Sequence, residues 1–145
     1  MRRSLLLLLL VWSVSTHAQD SLNVHKLFHW DDPSIPVGAT GLQDQYNDIW
    51  GYAARGREYA FLGSSLGVHV FDVTDAETSV LVDHVPGRVS GTNVIHRDYK
   101  VYHDHLFAVC DEGPSSLQIM DLSYLPDSVH LVYDSNVLLQ RAHDI

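Results

Sequence analysis

A single cysteine, Cys110, excludes a disulfide framework, because a secreted domain stapled by disulfides carries an even set. It lies in the apolar run Leu106-Phe107-Ala108-Val109-Cys110, where a buried small hydrophobe is expected rather than a nucleophile. Basic residues are scarce: nine Lys and Arg stand against eighteen Asp and Glu, a formal net charge of −9. Such a surface repels phosphate backbones, which excludes nucleic acid as a partner and offers no basic patch to anionic lipid. There is no Asn-X-Ser/Thr acceptor, no H-E-x-x-H, no phosphate-binding glycine loop, no dinucleotide fingerprint and no EF-hand loop. The longest apolar run, residues 5–14, is half the roughly 20 residues that a transmembrane helix needs. Beyond it no long segment has helical period, while aromatic and β-branched residues are frequent enough for a globular core.

The short apolar run reads as part of an export leader. Arg2 and Arg3 precede it, and Ser15-Thr16-His17-Ala18 ends in the small residue that signal peptidase prefers. Residues 1–18 are therefore expected to be a signal peptide cleaved after Ala18, and the protein to be secreted or displayed at the cell surface. Cleavage removes two arginines and no acid, leaving seven basic and eighteen acidic residues and a net charge of −11.

What remains contains a repeat. Residues 46–85 correspond to residues 98–133, with Tyr59-Ala60-Phe61-Leu62 matching Phe107-Ala108-Val109-Cys110 and Val70-Phe71-Asp72-Val73 matching Ile119-Met120-Asp121-Leu122. Turn signals divide each copy into four short strands: 46–53, 58–62, 68–73 and 79–85, then 98–102, 105–110, 117–122 and 129–133. Asp72 and Asp121 end the third strands, where a carboxylate can accept from the N–H groups of the next turn. Residues 22–30 read as a first strand or lead-in, and residues 31–44, with Pro33, Pro36, Gly38 and Gly41, as a long connection. Four strands in about forty residues make one propeller blade. The fold expected is all-β and propeller-like: a strand and loop over 19–45, then two four-stranded blades over 46–145, with a third copy beginning near Arg141. Closed propellers have about four to eight blades, so the expectation is a portion of a longer protein. The alternative is a small open sheet that closes by oligomerising.

The strings Gly56-Arg57-Glu58-Tyr59-Ala60-Phe61-Leu62-Gly63, Gly67-Val68-His69-Val70-Phe71-Asp72-Val73-Thr74-Asp75 and Val80-Leu81-Val82 resemble the LVIVD repeat of bacterial surface propellers. Residues 46–53, then Arg97-Asp98-Tyr99-Lys100-Val101-Tyr102, Ala108-Val109-Cys110-Asp111-Glu112-Gly113 and Arg141-Ala142-His143-Asp144-Ile145, are similar to the choice-of-anchor B family. The resemblance covers about 100 residues and implies an exported propeller held at the surface by a C-terminal anchor that this chain lacks. It implies no general enzymatic activity and therefore no catalytic residues. Asp75-Ala76 stands where the family has an Asp-Pro turn, which leaves that turn less rigid.

Among chemical signals, Gly63-Ser64-Ser65-Leu66-Gly67 spells G-x-S-x-G, but a strand is expected to follow rather than the helix of a nucleophile elbow. The histidines offer more. His103-Asp104-His105 places two imidazoles two residues apart, on one face if the segment is extended. His96, Asp98, His143 and Asp144 lie at repeat starts, which converge on one rim or channel in a propeller. His96, Asp98, His103, His105 and His143 are thus the candidate ligands for a divalent metal, with hairpin turns and strand-end bonds by Asp48, Asp98 and Asp144 as the structural alternative. Trp50, Tyr52, Tyr99 and Tyr102 are expected to pack between blades, or to stack on a sugar or peptide at a channel mouth. No catalytic set is complete in the sequence. The leading expectation is a non-catalytic surface scaffold that binds a macromolecule or glycan and meets a membrane only through an anchor. The alternative is a metal-assisted hydrolase or lyase using His and Asp from several blades.

Overall fold

A computed structural model describes residues 23–39, 41 and 44–145. The expected leader, residues 1–18 with cleavage after Ala18, lies outside the described residues. Eight strands follow one another: β1 (Tyr46–Ala54), β2 (Arg57–Ser64), β3 (Gly67–Asp72), β4 (Val80–Pro86), β5 (Arg97–Tyr102), β6 (His105–Cys110), β7 (Leu117–Asp121) and β8 (His130–Ser135). They form two four-stranded antiparallel meanders, β1-β2-β3-β4 and β5-β6-β7-β8. The segment before β1 differs from the strand reading: residues 24–32 form no strand and act as a lead-in.

The turns explain the strand bounds. β1 and β2 are joined by Arg55 at φ 52° and Gly56 at φ 75°; β5 and β6 by His103 at φ 46° and Asp104 at φ 54°. Two-residue hairpins with both φ positive match the twist of the strands they join. Gly56 adopts this conformation without a Cβ clash, whereas His103 does so at a steric cost. Asp72 and Asp121 serve as expected: Oδ1 of each accepts a backbone N–H two residues on, from Thr74 at 2.9 Å and Ser123 at 2.8 Å.

The two sheets pack on each other, and the core lies between them. Tyr59, Phe61, Val68 and Val70 of the first sheet meet Tyr99, Leu106, Ala108 and Met120 of the second, with Trp50, Tyr52 and Val101 partly buried around them. Tyr99 and Phe61 are fully buried. Gly63 is required here, because a Cβ on it would overlap the Asn47 amide and the Tyr99 ring.

The packing has a phase. Counted from the hairpin turns, inward-facing Tyr59 and Phe61 correspond to Phe107 and Val109, which face away from the other sheet. Inward-facing Tyr99 and Ala108 correspond to Gly51 and Ala60 on the outer face of the first sheet. Equivalent residues therefore point the same way in both sheets, like successive pages. A sandwich of two equivalent faces would pair Tyr59 with Phe107 instead.

Polar contacts across the interface repeat as well. Asp48 Oδ2 accepts from the N–H of Tyr99 at 3.3 Å, and Asp98 Oδ2 accepts from the N–H of Ile145 at 2.7 Å. In each case the aspartate holds the residue that follows a later aspartate, Asp98 or Asp144. Strand-end bonding by Asp48 and Asp98 is thus a link between repeats. Arg97, buried, adds a bond from Nε to the Ser64 carbonyl at 2.8 Å.

The lead-in docks on the outer face and end of the first sheet. Trp30 sits with ring centroids 5.0 Å from His69 and 5.1 Å from Phe71. Ile35 is buried, and Ser65 Oγ donates to the Pro36 carbonyl at 2.8 Å.

Candidate metal centre

The hairpin register builds the site. The Tyr102↔His105 pair and the antiparallel ladder down to Arg97↔Cys110 carry the next pair, His96 and Asp111, side by side past the strand ends. The N–H of Asp111 donates to the His96 carbonyl at 3.4 Å. The chain returns at its last residues, where the N–H of Ala142 donates to the Cys110 carbonyl at 3.4 Å. That contact brings His143 over the same strand ends.

The result is a cluster of His96, Asp111 and His143 whose ligand atoms all lie within 4.8 Å of one another. The imidazoles are 4.7 Å apart, centroid to centroid. Glu112 holds His96 twice, with Oε1 2.8 Å from Nδ1 and both oxygens accepting from its backbone N–H at 3.2 Å. Fixing a histidine at Nδ1 leaves Nε2 free and aimed, the usual arrangement behind a metal-ligating imidazole. His143 Nδ1 lies 3.1 Å from Asp111 Oδ2. That carboxylate raises the His143 pKa above its ordinary value.

His96 and His143 line an open cleft of about 370 Å³ together with Asp44, Asp48, Asp98 and Asp144. Burial, and then a hydrogen bond with Asp98, raises the Asp48 carboxyl above the usual range. The cleft thus offers a His/Asp ligand set with exposed imidazoles beside carboxyls able to take or give a proton.

Of the residues named from sequence, His96 and His143 come together, and Asp98 lines the cleft with its Oδ2 bonded to Ile145. His103 and His105 do not join them. His103 occupies the turn at positive φ, so the two imidazoles are not an extended pair on one face. The six residues of β5 separate them from His96 by roughly 20 Å. His105 Nδ1 is instead 2.7 Å from the His103 carbonyl oxygen.

Asp111 and Glu112 escaped the sequence reading because they look like turn residues. The signal was the register: once the turn is placed at His103-Asp104, His96 must face Asp111.

Two other candidates are accounted for by the fold. Ser65 of the G-x-S-x-G string is buried, followed by β3, and its hydroxyl is committed to Pro36. Cys110 is buried, and burial pushes its thiol pKa up. Among the aromatics, Tyr99 is core, Trp50 and Tyr52 pack against it, and Tyr102 is 67% exposed at the hairpin tip. Lys100 Nζ lies 3.9 Å over the Trp50 ring.

No protein-family model, curated protein or solved structure matches this chain.

Proposed function

We propose that His96, Asp111 and His143 hold a divalent cation at the edge of this cleft, and that the chain carries out metal-assisted hydrolysis or elimination there. The observation that carries this reading is the meeting of three ligand atoms, from either side of a hairpin and the end of the chain, within 4.8 Å. Zinc bonds of about 2.0–2.1 Å put tetrahedral ligands about 3.3 Å apart. Turning His143, the more exposed of the two imidazoles, closes the difference. Three protein ligands leave a position for water, whose pKa a bound zinc lowers to about 7. Asp48, whose carboxyl pKa is raised, lines the same cleft as a group for proton transfer.

Titration calorimetry with zinc tests the site, and a hydrolysis screen of the zinc-loaded protein on ester and phosphoester probes tests the activity. Saturable binding that His143→Ala abolishes supports the site. Absence of heat with zinc and with calcium discards it.

The scaffold for this site is read as two blades of a β-propeller. The page-like phase of the sheets and the Asp48–Tyr99 and Asp98–Ile145 links support that reading. Export and surface display, with membership of the LVIVD-repeat or choice-of-anchor B group, are supported by the leader and by the repeat strings. A non-catalytic role in binding a surface macromolecule or glycan is the second reading. It is favoured by exposed Tyr102 at a hairpin tip, and it prevails if zinc binds without any turnover.

A further inference from the structure

We infer that the chain associates with further copies of itself head to tail, the outer face of its second sheet stacking on the outer face of the first sheet of the next copy. The phase of the internal packing leaves complementary faces on the two outer sides of the molecule. The outer face of the second sheet carries Phe107 and Ile119, the repeat equivalents of Tyr59 and Val70. Those residues form the inner face of the first sheet. The outer face of the first sheet carries Gly51 and Ala60, equivalents of Tyr99 and Ala108 on the inner face of the second. Each outer face is thus a sequence relative of the partner that the other already has inside the molecule. The occupant that fits is a second copy, and the contact extends the existing sheet-to-sheet stack.

The lead-in covers His69 and Phe71 on the first sheet's outer face, and the part of that face around Ile49 stays open to receive it. Ile49 is 60% exposed, and with Ala60, Leu62, Phe71 and the lead-in's Trp30 it lines an apolar hollow of about 170 Å³. On the second sheet Phe107, Ile119 and Tyr133 are half-buried, and Tyr102 is exposed beside them. An isologous dimer would bring equal faces together, which the internal packing does not do. A heterologous contact either closes a ring or grows as a filament.

The test uses the purified chain and light scattering coupled to size exclusion over a range of concentrations. The wild type is expected to pass from monomer to multiples of the protomer mass. Ile49→Arg blocks one face, and Ile119→Arg the other. Each alone should raise the association midpoint at least about tenfold, as loss of a central contact does. Mixed in equal amounts, the two variants should stop at one-to-one dimers, since each keeps the face that the other lost. Tyr102→Arg, at an exposed position, replaces Ile119→Arg if tryptophan fluorescence shows the latter unfolded. A wild type that stays monomeric at every concentration overturns the inference. So does Ile49→Arg that self-associates as well as wild type, or a mixture that forms no dimer.

Discussion

At the scale of single residues, the proposed centre divides into three ligands and a supporting carboxylate, Glu112. Asp111→Asn and His143→Ala should each abolish zinc heat, while Glu112→Gln should weaken binding about 10–100-fold by freeing the His96 ring. Calorimetry on the three variants separates these outcomes, and equal loss in all of them would make Glu112 a ligand. Zinc needs neutral imidazole, and Asp111 holds the His143 proton above the ordinary value of 6.5. Affinity should therefore begin to fall as pH drops to that raised value. A second pH effect belongs to the core. His69 is buried under Trp30 and stacked 4.4 Å from His84; burial, then the His84 charge, pulls its pKa from 6.5 to about 4. In that window the unfolded chain binds the proton and the folded chain does not, so stability is complete above pH 6.5 and is lost as pH falls towards 4. The loss should be on the order of 2–3 kcal/mol. Urea unfolding at pH 7 and 4.5 measures it, and His69→Phe should remove most of the difference.

At the scale of elements, the hairpins decide both stability and what a sequence reveals. His103 pays for positive φ that asparagine tolerates better. His103→Asn should raise stability by about 0.5 kcal/mol and leave zinc affinity unchanged, as thermal melts with and without zinc will report. A fall in affinity would bring His103 back into the site. The strands were legible because turn residues bracket them: Arg55-Gly56 between β1 and β2, and Asp72 and Asp121 with their N–H partners after β3 and β7. Their ends were less so. β2 runs on through Ser64, which looks like part of a glycine-serine turn but is held by bonding between its hydroxyl and His69 Nε2 at 2.8 Å. Residues 24–30 have strand-like composition yet no neighbouring strand, and Trp30 anchors them through ring packing instead. His96 and His143, expected as ligands from their places at repeat starts, are two that the structure brings together. Asp111 depends on register across the hairpin, which residue types do not display.

At the scale of the whole molecule, one packing rule accounts for the interior, for the links between repeats and for the site at their ends. Tyr99 lies where both sheets and the Gly63 gap meet. Tyr99→Ala should cost about 3–5 kcal/mol, as large aromatic truncations in a core do, and should melt both sheets together. Separate transitions by denaturant would show that the sheets fold independently. The same stacking sets β5 beside β1 and brings Asp48, Asp98 and the His96 end of the second sheet onto one cleft. A cation bound by His96, Asp111 and His143 would scatter anomalously at the zinc edge. Crystals grown with zinc should show a peak about 2.0–2.2 Å from a nitrogen of His96, a nitrogen of His143 and an oxygen of Asp111. Zinc found only at His103 and His105, or no peak between His96 and His143, would contradict it.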